Sequence, residues 1–119
     1  MRRMSFSMTE QQFRDGTKDV TRRLGWWDLK PGDHFLAIRK GRGLKKGEKQ
    51  VVLGEAVVVS TRPEDLDEIT KADCVREGFP ELSPTEFVTM FRKHMRCQPF
   101  TIVNRIEFKH VEKEASDGD

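Results

Sequence analysis

The chain has 119 residues, of which 35% are hydrophobic and 35% charged, and its formal net charge is +2. This length suits one domain with a single hydrophobic core. The eight Phe and two Trp residues provide enough apolar side chains to exclude a disordered chain. No apolar run is long enough for a secretory signal or a membrane span, so we expect a cytoplasmic protein that does not associate with membranes.

The first elements follow from local patterns. The stretch "SFSM", residues 5–8, predicts a short strand, and "TEQQFRDG" predicts a helix that begins after Thr9 and ends at Gly16. The stretch "TKDVTRR", residues 17–23, alternates and predicts a second strand. A turn at residues 31–32 precedes a third predicted strand, "HFLAIRK".

A basic loop follows at residues 39–49, "RKGRGLKKGEK", with six basic residues and one acid. Such a local excess of positive charge attracts polyanions even when the net charge is small. The loop is predicted to join the third strand to "QVVLGEAVVVST", residues 50–61, in which Gly54 indicates a bulge or a tight bend.

Helices dominate the next part of the chain. Residues 64–78 are predicted to be helical, with Thr70 as a possible cap and Gly78 at the end. The clearest helix is "SPTEFVTMFRKHM", in which Ser83 and Glu86 form a capping box. One face of this helix carries mainly apolar residues, so its histidine is expected to lie in the core; the face comprises Phe87, Met90, Phe91, His94 and Met95.

The last predicted strand is "FTIVNRIEF", residues 100–108, with Phe100, Ile102, Ile106 and Phe108 on one face. Residues 1–111 are therefore predicted to form one α+β domain, a curved and mostly β core with two or three helices packed outside it. Residues 112–119 are predicted to be an acidic disordered tail.

Four segments together resemble a known family. "GTKDVTRR" resembles the lysine-containing signature that follows the first helix of ASCH domains, and "LKPGDHF", "REGFPELSPTEFVTMF" and "VNRIEF" follow in the order typical of that family. The resemblance covers about residues 4 to 111 and is to the small stand-alone ASCH proteins of bacteria and their phages. It implies a PUA-like fold, which is a small β-barrel with helices at its mouth.

The resemblance implies three possible functions. Relatives with the PUA-like fold bind RNA, often with a single base or modified base in a pocket, and we predict nucleic-acid binding, with RNA as the preferred partner. Some small ASCH proteins instead remove an acyl group from the exocyclic amine of cytidine, and the matching catalytic residues here would be Lys18, Thr21 and Glu77. A nuclease is the second alternative, because other ASCH proteins are nucleases.

The hydrolase hypothesis makes geometric demands. Thr21 would be the nucleophile, Lys18 would ease its deprotonation, and Glu77 would give a proton to the leaving amine. Residues three apart on a regular strand point to opposite faces, so Lys18 and Thr21 converge only if the backbone turns near them. Glu55 is a competing acid, since it lies on a strand expected to reach the barrel.

The candidate nucleic-acid contacts are basic and aromatic: Arg22, Arg23, Trp26, Trp27, Arg39, Lys40, Arg42, Lys45 and Lys46. Each has a simpler explanation, because arginines protect strand edges, tryptophans pack in cores, and basic hairpins are often only solvated. We expect one tryptophan to be structural and the other exposed. A protein partner for the basic surface is a further alternative. The histidines and cysteines form no metal-binding pattern, and no cofactor motif occurs. The expected ligand is RNA or a nucleoside, and the sequence does not indicate the oligomeric state.

Overall fold

The protein is described by a computed structural model in which residues 1–112 are placed. Residues 1–112 form five strands, three α-helices and one 3₁₀ turn. The elements are β1 (Arg2–Ser5), α1 (Glu10–Arg14), β2 (Val20–Arg23), β3 (His34–Ile38), β4 (Val52–Asp65), the 3₁₀ turn (Leu66–Glu68), α2 (Lys71–Arg76), α3 (Pro84–Met95) and β5 (Ile102–His110).

The strands form one mixed sheet in the order β1-β3-β4-β5-β2. β1 is parallel to β3, and the other neighbouring strands are antiparallel. The sheet curves into a half-barrel, with β1 and β2 at its two open edges. The predicted α+β architecture, a curved and mostly β core with helices packed outside it, is therefore confirmed.

Two apolar clusters cover the two faces of the sheet. The inner cluster holds four phenylalanines, Phe6, Phe13, Phe35 and Phe108, together with smaller residues from the strands. The outer cluster joins the 3₁₀ turn and the helices α2 and α3 to β5 and includes Leu66, Ile69, Cys74, Phe87 and Val103. Both faces of the interior strand β5 are thus buried between the barrel interior and the helices, which fixes the helices against the half-barrel.

Gly54 lies where the ladder between β3 and β4 is irregular. The register shifts between Ala37 and Ile38, whose partners are Gly54 and Val52. A Cβ atom on Gly54 would come within 3.1 Å of the Phe13 ring of α1. The bulge predicted at Gly54 is therefore present, and a glycine there lets the helix approach the strand closely.

Several element boundaries differ from the sequence-based expectation. β1 precedes the predicted residues 5–8, and β2 begins only at Val20. The helix predicted over residues 64–78 is wrong in its first half, since Asp65 still pairs with Ile102 in the ladder between β4 and β5. The ladder satisfies the backbone there, and a helix begins only after Thr70, whose hydroxyl accepts from the Asp73 amide at 3.2 Å.

The end of the described chain adds two further observations. Phe100 and Ile102, predicted on a half-buried face, are 68% and 49% exposed, because the apolar clusters reach only the later part of that face. The domain boundaries predicted at residues 1–111 stay a prediction, and the predicted tail, apart from Glu112, lies outside the described residues. No helix among residues 1–112 is long and apolar enough to cross a membrane.

Candidate functional site

A cavity of about 200 Å³ lies at the open side of the half-barrel. Its walls come from the segment after β1 (residues 5–9), from β2 and the residues before it (18 and 21–23), from the end of α2 (77 and 79) and from one face of α3 (87–95). The cavity therefore occupies the place where the two edge strands come together under α3. It is smaller than the roughly 300–1,000 Å³ of sites for drug-sized ligands.

Lys18 and Glu77 form a buried ion pair on the wall of this cavity. Lys18 Nζ donates to Glu77 Oε1 at 2.7 Å and to the Glu77 carbonyl oxygen at 2.8 Å, and both residues are at most 3% exposed. Burial lowers the pKa of Lys18, although the carboxylate of Glu77 opposes the effect. An ammonium has three N–H donors, so one remains for a ligand after the two bonds to Glu77.

The end of α2 places Glu77 in contact with β2. Gly78 follows with a φ of +98°, a conformation that glycine adopts without strain, and it turns the chain out of the helix. A Cβ atom at this position would lie 2.9 Å from the Gln12 side chain. Gly78 thus allows α1 and α2 to pack closely while Glu77 faces Lys18.

Arg22, on β2, contacts the second carboxylate oxygen of Glu77. Its guanidinium contacts Glu77 Oε2 at 3.2 Å, Glu64 Oε2 at 2.6 Å and Asp73 Oδ2 at 2.5 Å. Burial opposes the charged form, but the three carboxylates outweigh it and raise the pKa of Arg22. Arg105 adds a bidentate contact to Asp73. Arg22 is therefore placed in a buried network that orients Glu77, rather than on an accessible surface.

Thr21 and Arg23 lie on the face of β2 that meets the cavity. The Arg23 guanidinium donates to Thr21 Oγ1 at 3.1 Å and to the Ser5 carbonyl oxygen at 2.7 Å, and it stacks on the Phe6 ring at 4.7 Å. It thus joins the two edge strands of the half-barrel. Burial lowers the pKa of Arg23 to about 10. The Thr21 hydroxyl accepts from Arg23 and keeps its own hydrogen for a ligand.

The structure brings Lys18, Thr21 and Glu77 to one cavity. Lys18 precedes β2, so its side chain does not follow the alternation between the two faces of that strand and can lie on the same side as Thr21. Within residues 1–112 no hydrogen bond joins Lys18 to Thr21. The competing acid Glu55 does not line the cavity and instead contacts His34 at 2.5 Å. The three residues named by the resemblance therefore share a site, with Lys18 and Glu77 in direct contact.

The opposite wall is apolar and comes from α3. All five residues predicted on one helical face line the cavity, together with Phe6 and Phe79. The expectation that His94 is a buried core histidine is wrong, since it is exposed at the cavity wall. Helical periodicity identified the correct face, but only its first part packs on the outer cluster, through Phe87, Met90 and Phe91, while His94 and Met95 are exposed at the cavity.

The two tryptophans lie away from the cavity lining. Trp26 packs against the inner cluster beneath the Arg2 guanidinium, 4.3 Å from its ring, and its carbonyl oxygen accepts from Asn104 at 2.9 Å. Trp27 is 56% exposed. Trp27 is thus the accessible member of the pair.

The basic loop begins next to the cavity. Ser5, which lines the cavity, donates to the Arg39 carbonyl oxygen at 3.3 Å, and its Cβ lies 3.4 Å from the position of a Cβ on Gly41. Arg39 pairs with Glu10 at 2.6 Å and Lys40 with Glu48 at 3.0 Å, so these two cations brace the loop. The other four cations of the loop are exposed and have no salt bridge within residues 1–112; they are Arg42, Lys45, Lys46 and Lys49. In the same part of the chain, no group of three or more His, Cys, Asp or Glu side chains is placed to hold a metal ion.

Comparison with known proteins supports the fold. No family model matches the sequence, and no curated protein matches it. Several solved structures are similar in fold. An ASCH domain from Lactobacillus crispatus JV V101 has a TM-score of 0.66 at 13% identity, over 92% of this chain and 78% of that one.

The second structure is a protein of the family DUF984 from Enterococcus faecalis V583, with a TM-score of 0.62 at 11% identity, over 92% of this chain and 79% of that one. The third is the hypothetical protein PH0355, with a TM-score of 0.65 at 19% identity, over 93% of this chain and all of that one. These likenesses give the chain the fold of a small ASCH-type domain.

Proposed function

We propose that this domain binds single-stranded RNA and holds one base in the cavity. The observation that carries the proposal is the contact of the cavity with the basic loop through Ser5. A base in the cavity would leave its phosphates beside the exposed cations of that loop. Single-stranded RNA suits such a site because its bases can be turned out and stacked on aromatic side chains.

The two walls of the cavity match the two chemical characters of a nucleobase. A base has apolar faces, which can pack against Phe6, Phe87 and Phe91, and a polar edge, which can face the Lys18 ammonium and the Thr21 hydroxyl. The volume of about 200 Å³ suits one base rather than several. The cavity would therefore select the base, and the loop would add affinity that is independent of sequence.

The cations of the loop make a quantitative prediction. For single strands, each phosphate that a protein neutralises contributes about 0.7 to the steepness of log K against log salt concentration. A Lys45→Gln/Lys46→Gln variant should therefore bind a labelled single-stranded RNA of about ten nucleotides with a slope that is shallower by about 1.4. Fluorescence anisotropy at several salt concentrations measures this slope.

The matched control is Lys30→Gln/Lys109→Gln, which removes the same charge from two exposed lysines that do not line the cavity. This variant should keep the native slope. A native protein without salt-dependent RNA affinity would contradict the proposal, and so would a loop variant that behaves like the control.

A second candidate function, an amidohydrolase acting on acylated cytidine, is favoured by the direct contact between Lys18 and Glu77. Thr21 Oγ would attack the acyl carbon and pass its proton to Lys18 in its neutral form, which burial favours. The exocyclic amine would leave with a proton from the Lys18–Glu77 pair, and water would then hydrolyse the acyl ester on Thr21. The nuclease alternative has no comparable observation among residues 1–112.

The hydrolase is tested by incubating the protein with N-acetylated cytidine and separating the products by chromatography. Release of cytidine by the native protein, abolished in Lys18→Ala and Thr21→Ala and retained in Lys30→Gln/Lys109→Gln, is the expected result for an enzyme. Release that persists in Thr21→Ala would remove Thr21 as the nucleophile. No release at high protein concentration would remove this substrate and leave the cavity as a binding site.

A further inference from the structure

The end of α3 carries a second group of cations. The cavity lining includes Ser5, which contacts the basic loop, and the last turn of α3, which reaches the cavity with His94 and Met95. Lys93 and Arg96 flank these two residues in the sequence, and both are exposed. Positive charge is therefore present next to two separate segments of the cavity lining, Ser5 and the end of α3.

The charge at the end of α3 is not neutralised nearby in the sequence. Residues 87–106 contain no Asp or Glu, while residues 92–96 read "RKHMR". Arg92 is occupied locally, since it donates to the Cys97 carbonyl oxygen at 3.0 Å. Lys93 and Arg96 have no salt bridge within residues 1–112, in contrast to Arg39 and Lys40 in the loop. Cations at the end of a helix that lack a carboxylate partner are available to an anionic ligand.

Arg96 ends the helix in a way that exposes its side chain. It adopts the left-handed conformation, with φ +53° and ψ +54°, which an arginine adopts less readily than glycine or asparagine. Its amide still donates to the Arg92 carbonyl oxygen at 2.7 Å, as in a regular helix, and the left-handed conformation of Arg96 then ends α3. Arg96 is exposed and directly follows Met95, which lines the cavity.

We propose that Lys93 and Arg96 form a second phosphate-binding surface, so that a single RNA strand crosses the mouth of the cavity from the basic loop to the end of α3. The inference rests on the proposed RNA binding and adds the path of the strand to it. One nucleotide would place its base in the cavity, and its neighbours on either side would contact the two groups of cations. Grooves that follow a single strand combine such charge with aromatic walls in this way.

The test is a Lys93→Gln/Arg96→Gln variant in the same anisotropy titration, with Lys30→Gln/Lys109→Gln as the control of equal charge. Because this variant would neutralise two fewer phosphates, its slope of log K against log salt should be shallower by about 1.4. Combining this pair with Lys45→Gln/Lys46→Gln should make the slope shallower by about 2.8, because the two groups of cations face different phosphates. Circular dichroism verifies that the variants are folded.

Two kinds of failure can be told apart. If the native protein binds the RNA with a steep salt dependence that the loop variant reduces, but Lys93→Gln/Arg96→Gln behaves like the control, the strand path is wrong and the proposed function stands. If the native protein shows no salt-dependent RNA binding, the proposed function fails and the strand path fails with it.

Discussion

Lys18 is the residue on which the site depends most, because it is a buried cation whose carboxylate partner comes from a distant part of the chain. Lys18→Met would leave Glu77 with Arg22 as its ion-pair partner within residues 1–112. Breaking a buried pair by removing one member costs about 3–5 kcal/mol of unfolding free energy. The double variant Lys18→Met/Glu77→Gln should cost less than the sum of the two single changes, with a coupling of about 0.5–3 kcal/mol.

Urea unfolding followed by tryptophan fluorescence measures these free energies. The exposed pair of Arg2 and Asp28 provides a control double-mutant cycle, with Arg2→Met and Asp28→Asn. The coupling free energy in this cycle should be close to zero because solvent screens exposed charges. Additive effects of Lys18→Met and Glu77→Gln would show that the buried contact does not contribute to stability.

At the scale of single residues, the sequence indicated which residues form the site but not which of them are in contact. Lys18, Thr21 and Glu77 were identified from their resemblance to a family pattern, and all three do line one cavity. The contact of Lys18 with Glu77 spans 59 positions and depends on how α2 packs against β2, which no local pattern encodes. His94 was misplaced for a related reason, since periodicity defines a helical face but not what that face meets.

At the scale of elements, α2 is held to the sheet by charge as well as by apolar packing. Asp73, on α2, binds both Arg22 of β2 and Arg105 of β5. Burial alone would raise the pKa of Asp73, but hydrogen bonds from Arg105 and Arg22 outweigh it and hold this pKa well below its ordinary value of 3.8. A carboxylate with a lowered pKa stabilises the fold above pH 3.8 and loses this contribution as the pH falls below that value.

Asp73→Asn should therefore lower the free energy of unfolding by about 3–5 kcal/mol near neutral pH. It should also weaken the pH dependence below about pH 4, because Asn cannot titrate. Urea unfolding at a series of pH values measures both effects, with Asp67→Asn, at an exposed position of the 3₁₀ turn, as the control. Equal acid sensitivity of the native protein and the Asp73 variant would contradict this assignment.

The secondary-structure elements were predictable where nearby residues in the sequence mark the start or end of the element. The capping box of Ser83 and Glu86 forms as expected, with hydrogen bonds of 2.9 and 3.1 Å, and the long helix begins there. The region before α2 was not predictable in the same way, because its strand character comes from pairing with β5, more than thirty residues later. Pairing with a distant strand overrides weak helical signals.

On the scale of the whole molecule, the open edge of the half-barrel explains the position of the cavity. β1 and β2 are the two edge strands of the sheet. The Arg23 side chain bridges them by donating to the Ser5 carbonyl oxygen, and α3 covers them. The architecture could be predicted from alternating strand patterns and the family resemblance. The contact of the basic loop with the cavity could not be predicted, because it depends on the parallel pairing of β1 with β3. This pairing brings Ser5 beside Ile38 and the start of the loop.

The central claim, that one base occupies this cavity while the strand lies across its mouth, is tested most directly by nuclear magnetic resonance. Titrating isotope-labelled protein with a short single-stranded RNA should shift the backbone amides of residues 5–9, 18–23 and 87–96 together with those of the loop at residues 39–49. A free nucleoside should shift the first three segments and leave the loop unchanged. Shifts confined to the loop at residues 39–49, with the cavity segments unmoved by either ligand, would contradict the account.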